Sequence, residues 1–134
     1  MRRIPKEALV LVADGASARL FRNLGSETGA VKLHQEESLT LDPAEGEMPA
    51  VLPADVPPKE VDEASFARQL AKRLNEDALG GRYAHLVLVA EPQTLGQIRP
   101  LLHEETKARV AAELAKNFTN ARREDIERAL APEF

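Results

Sequence analysis

The 134 residues include no cysteine and no tryptophan, one tyrosine and four phenylalanines. Without cysteine there is no disulfide framework, thiol nucleophile or cysteine-ligated metal. So few aromatics disfavour a base-stacking platform for single-stranded nucleic acid. No apolar run approaches the roughly 20 residues of a membrane span, so no membrane partner is expected. The run ALVLVA behind Arg2, Arg3 and Lys6 is too short for the apolar core of a signal peptide. The expectation is a soluble, uncleaved, cytoplasmic chain forming one domain over 1–134, long enough to close a core unaided.

Chemical motifs are equally sparse. His34, His85 and His103 stand in no HxH, HExxH or HxxxH pair, so no zinc site is expected. Ser17, Ser26, Ser38 and Ser65 lack a nucleophile-elbow context. The stretch DGASA holds one glycine and leads into a strand, whereas a phosphate-cradling loop opens a helix. Neither a cofactor nor a resident metal is expected.

What is present reads as strands alternating with helices. Glu7 to Ala13 form a buried strand and Ala18 to Asn23 a second, with Asp14-Gly15 as the turn between them. Ala30 to Leu41 form a third strand, with Val31, Leu33, Leu39 and Leu41 as inward positions. From Asp62 a helix begins, with Asp62 as its cap and Phe66, Leu70 and Leu74, beside Ala67, Ala71 and Ala78, as its apolar stripe. Gly80-Gly81 stops it. His85 to Ala90 are another buried strand, TLGQIRPLL a short helix and RREDIERAL a closing helix. The stretch ETKARVAAELAKNFT fits one helix by its alanines, and fits a strand by the period of two in Val110, Ala112, Leu114 and Phe118. The class is an α/β sandwich with a mixed sheet opened by a hairpin.

Charge is uneven although the net is only −4. Between Glu36 and Glu63 nine acids (Glu36, Glu37, Asp42, Glu45, Glu47, Asp55, Glu60, Asp62 and Glu63) face one base, Lys59. A polyanion should avoid that segment. Five of the nine prolines, Pro43, Pro49, Pro53, Pro57 and Pro58, mark 42–61 as a long acidic loop.

Two constellations bear on function. Metal-dependent nucleases of the ribonuclease H type gather acids from the first strand, first helix and fourth strand around two divalent cations. Asp14, Glu76 and Glu91 are the residues placed to do so here. The plainer reading makes Asp14 a turn pivot bonding its own backbone, and Glu91 an exposed strand end. Basic residues collect late in the chain, and Arg19, Arg99, Arg122 and Arg123 are the candidate phosphate contacts. Glu104, Glu105, Glu113, Glu124, Asp125 and Glu127 are interleaved with them, as on a solvated mixed-charge surface.

Four stretches, LVLVADGASARLF, FARQLAKRLNE, YAHLVLVAEPQTLGQIRPLL and RVAAELAKNFT, resemble in order and spacing the bacterial host-attachment proteins, named for a requirement in attachment to host cells. That family is in turn similar to the middle domain of archaeal and eukaryotic release factors. In those factors a Gly-Gly-Gln loop ahead of a helix like FARQLAKRL promotes peptidyl-tRNA hydrolysis. The loop at 42–61 holds no glutamine and no Gly-Gly-Gln; the one Gly-Gly is Gly80-Gly81, before Arg82. For ETKARVAAELAKNFT the resemblance implies a short helix at Glu104 to Ala108 and an edge strand at Val110 to Phe118. For Asp14 it implies a hairpin turn.

Three readings follow. The first is a non-enzymatic binding protein of the host-attachment kind, acting inside the cell on an unknown protein partner. The second is a ribosome- or RNA-associated factor on a release-factor scaffold without its catalytic loop. The third is a metal-dependent nuclease using Asp14, Glu76 and Glu91. Sequence leaves the oligomeric state open.

Overall fold

The computed structural model describes residues 4–25, 31–40 and 58–131. Its centre is a strand pair of identical sequence: β1 (Leu9–Ala13) and β4 (Leu86–Ala90) both read LVLVA and are buried throughout. They pair in parallel, Leu9 with Leu86 and so on to Ala13 with Ala90. Strand alternation then puts leucines on one face and valines on the other. β2 (Ser17–Asn23) and β3 (Leu33–Thr40) extend the sheet antiparallel on one side, and β5 (Val110–Leu114) extends it parallel on the other. The order is β3-β2-β1-β4-β5, a mixed five-stranded sheet opened by a hairpin.

The leucine face carries α1 (Pro58–Leu79), α2 (Pro92–Ile98), a 3-10 turn (Arg99–Leu101) and α3 (Glu104–Arg109). Phe66, Leu70 and Leu74 with Ala67, Ala71 and Ala78 are all buried there, as the i, i+4 stripe requires. The helix starts at Pro58, four residues before the expected Asp62. A proline suits the first helical position, where its missing N–H has no partner to lose. Residues 58–61 therefore belong to the helix; 42–57 of the expected loop, and Leu41, lie outside the described residues. α1 ends at Leu79, and Gly81, at φ 67°, takes the left-handed geometry that favours glycine.

One side chain of α1 organises the chain beyond it. Asn75 donates Nδ2 to the Leu101 carbonyl at 3.1 Å, while its Oδ1 accepts from the His103 N–H at 2.9 Å and the Thr106 hydroxyl at 2.7 Å. The N-terminus of α3, whose own capping side chain makes no bond, is thus capped from another helix.

Among the described residues, the valine face carries α4 (Arg123–Leu130), the chain leading to it, and Ile4 and Ala8 ahead of β1. Ile126 and Leu130 cover Val10, Val12, Phe21, Val87 and Val89. β5 ends at Leu114, short of the expected Phe118, where Lys116 N–H turns back to the Leu114 carbonyl at 3.0 Å. Phe118 still packs on this core. In β3, Leu33 joins the valine-face core and Leu39 packs against the leucine-face core, so the two do not share an inward face. A bulge opposite Leu20 and Phe21 inserts Glu36 and switches the alternation. Consecutive acids then meet different cations: Glu36 pairs with Arg22, Glu37 with Arg73. Among the described residues no helix is long and apolar enough to cross a membrane.

Candidate functional site

The carboxyl ends of β1 and β4 lie side by side, and Asp14 and Glu91 follow directly on the Ala13–Ala90 pair. Asp14 is absorbed by structure. Its Oδ1 accepts the N–H groups of Ala16 and Ser17, both at 2.8 Å, closing the hairpin turn. Its Oδ2 accepts the Thr119 hydroxyl at 2.8 Å, across 105 residues of chain. That hydroxyl also lies 2.7 Å from Asn117 Oδ1. It has one proton to give, and an ionised carboxylate is the stronger acceptor. Burial pushes the Asp14 carboxyl up, but the donors from Ala16, Thr119 and Ser17 outweigh it and hold the group below its ordinary 3.8.

Glu91 stands between β4 and α2, with Oε1 3.5 Å from the Thr94 hydroxyl. Glu76 is elsewhere: it lies thirteen residues beyond Glu63, about 20 Å further along α1, and pairs with Lys72. The acid that α1 does bring to this end is Glu63, which sequence reasoning passed over. Gly15 has no side chain, and a Cβ there would stand 2.6 Å from Glu63 Cγ. The signal was available: the acid belonging to a strand end comes from the first turns of a long helix, not its middle. Among the described residues, no three carboxylates or histidines group so as to hold a metal ion.

The four arginines do not form one basic surface. Arg19 stacks 4.8 Å over the Phe21 ring, and its Nη1 donates to the carbonyls of Thr119 at 3.3 Å and Ala121 at 2.7 Å. Its Nε donates to Gln35 at 3.1 Å. It therefore ties β2 to the chain entering α4, next to Arg122 in sequence. Arg122 pairs with Asp125, and Arg123 with Glu124 and Glu127. Arg99 belongs to the helices of the opposite face and binds Glu113 of β5. Asp14 and Arg19 thus hold the same 117–121 segment from two sides.

A second feature is a groove of about 380 Å³ along α1, with a mostly apolar lining. Lys72, Glu76 and Leu79 border it from α1, Leu101 and His103 from the turn before α3.

No curated protein matches the chain. The mixed sheet with helices on both faces is consistent with a release-factor-like fold. The sequence model of the bacterial archaeo-eukaryotic release factor family 12 matches residues 7–130, nearly the whole chain from β1 to the end of α4. The chain belongs to the bacterial archaeo-eukaryotic release factor family 12.

Proposed function

We propose that the chain is a non-enzymatic factor that associates with ribosomes or RNA through a release-factor scaffold. The observation that carries this reading is the family match over 7–130 in a sequence without Gly-Gly-Gln. The one Gly-Gly stops α1 at its C-terminal end and serves as a cap. The absorption of Asp14 into a turn and a tertiary hydrogen bond supports a job other than catalysis. Arg122 and Arg123 are the proposed phosphate contacts. Their ion pairs are exposed, of the kind that contributes little in water and that a phosphate can displace. Arg19 positions their segment, and Arg99 offers a separate contact on the other layer.

Co-sedimentation with ribosomes from the same cells tests the reading, at low and moderate salt, with and without ribonuclease. Association that falls with salt and with ribonuclease is expected, because phosphate neutralisation supplies most of such affinity. Arg122→Glu with Arg123→Glu should weaken it further. A protein that stays at the top of the gradient at low salt overturns the reading.

The likeness of four stretches to host-attachment proteins supports a second reading, a protein partner inside the cell, and the exposure of Leu79 and Leu101 favours it. Co-sedimentation that resists ribonuclease and moderate salt would move this reading ahead. Both readings propose a cytoplasmic location, which cell fractionation checks.

A further inference from the structure

The exposed large apolar side chains among the described residues are Leu24, Leu79 and Leu101, and two of the three border the groove on α1. Leu79 is 65% exposed and Leu101 39%. Lys72 and Glu76 border the same groove; their side chains are 71% and 61% exposed and their charged atoms 4.0 Å apart. At that exposure a pair within one helix contributes little to its own fold.

Lys72 and Glu76 stand four residues apart on one exposed face of α1, with Leu79 three residues further on. The two charged positions exchange places when the helix is reversed about its residue 74. Lys72 then faces the partner's Glu76, and Glu76 faces the partner's Lys72. A surface that is its own complement under a two-fold rotation is what an isologous dimer needs. The balance of signs also matters. A partner of one charge would meet either Lys72 or Glu76 with repulsion, whereas a second copy reversed in direction satisfies both.

We propose that this face of α1 docks a second copy of the chain, helix against antiparallel helix, with Lys72 and Glu76 exchanging ion pairs across the two-fold axis and Leu79 and Leu101 covered. The inference stands independently of ribosome association, since the proposed phosphate contacts begin α4 on the other face of the sheet.

Sedimentation velocity of the full chain over a concentration series tests it. The wild type should pass from monomer to dimer as concentration rises. Lys72→Glu alone and Glu76→Lys alone each set like charges opposite one another twice, and each should weaken the dimer roughly tenfold or more. An equimolar mixture of the two variants pairs opposite charges again and should recover association, as should the double variant K72E/E76K. Leu79→Asp should weaken it without rescue by either. These positions are exposed, so circular dichroism should show the variants folded. A wild type that stays monomeric throughout overturns the proposal. So does a dimer that both single charge reversals leave unchanged, because its interface would lie elsewhere.

Discussion

The two faces of the sheet are made from the same strands and finished differently. The leucine face is covered by a 22-residue helix and by three shorter pieces, of which the helix itself pins the 3-10 turn and α3 through Asn75. Among the described residues, the valine face is covered by one eight-residue helix, by Ile4 ahead of β1 and by a segment held by two side chains, Asp14 and Arg19. A helix of eight residues is too short to persist without its packing, so α4 depends on the side chains that hold the segment leading into it. The lesson is that Asp14, directly after β1, and Arg19, on β2, work as fasteners for the thinner layer.

The largest effect should come from emptying each core in turn. Phe66→Ala on the leucine face should cost about 3–5 kcal/mol of global stability, and Ile126→Ala about 2–3 kcal/mol, both read by denaturant titration. If the comparison holds, hydrogen exchange should also show α4 amides opening well below the global free energy while α1 amides open with it. Equal protection of both helices would erase the distinction.

Next comes the fastener. Asp14→Ala should cost about 1–3 kcal/mol, and the loss should appear as faster exchange in α4 rather than in α1. The sign with pH follows from the lowered carboxyl. Its contribution is present above the ordinary value of 3.8 and disappears as pH falls through the lower folded-state value. Wild type and Asp14→Ala should therefore converge in stability on strong acidification. Curves that stay parallel down to that range would assign the loss to something other than this carboxylate.

On the leucine face the matching polar group is Tyr83, whose hydroxyl donates to the Leu74 carbonyl at 2.8 Å. Burial pushes it up to about 12 from 10.0. Its contribution is complete below 10 and lost as pH rises toward the folded value. Tyr83→Phe should cost about 1 kcal/mol at neutral pH and should flatten the alkaline loss of stability that the wild type shows. The smallest effect belongs to neither layer. Glu7 holds φ at 68° just before β1, so Glu7→Gly should relieve up to about 1 kcal/mol of backbone strain, visible as a slightly higher unfolding midpoint.

Much of the fold was legible because its signals are local. ALVLVA and HLVLVA could only be buried strands, the stripe from Phe66 to Ala78 only a helix face, and Gly80-Gly81 only its stop. The residues that misled did so through non-local causes. Leu33 and Leu39 share a parity in sequence, but a bulge one residue long sends them to different cores. Glu76 was grouped with Asp14 as the acid of the first helix, although the strand's end meets the start of α1, where Glu63 lies. The ambiguous stretch after Thr106 is both helix and strand, with the change at Arg109–Val110. Alanine-rich sequence permits either, and pairing with β4 selects the strand.

Sequence alone determined the class of the chain and its apolar faces, since period and turn chemistry are written in adjacent residues. It also determined the absence of Gly-Gly-Gln. Tertiary structure decided which charges are engaged. Asp14 reaches Thr119, and Arg19 reaches the carbonyl of Ala121, across about a hundred residues of chain. Glu76 and Lys72 are left at the surface beside Leu79. A side chain's partner depends on where the sheet and helices bring it, and no spacing along the chain encodes that distance.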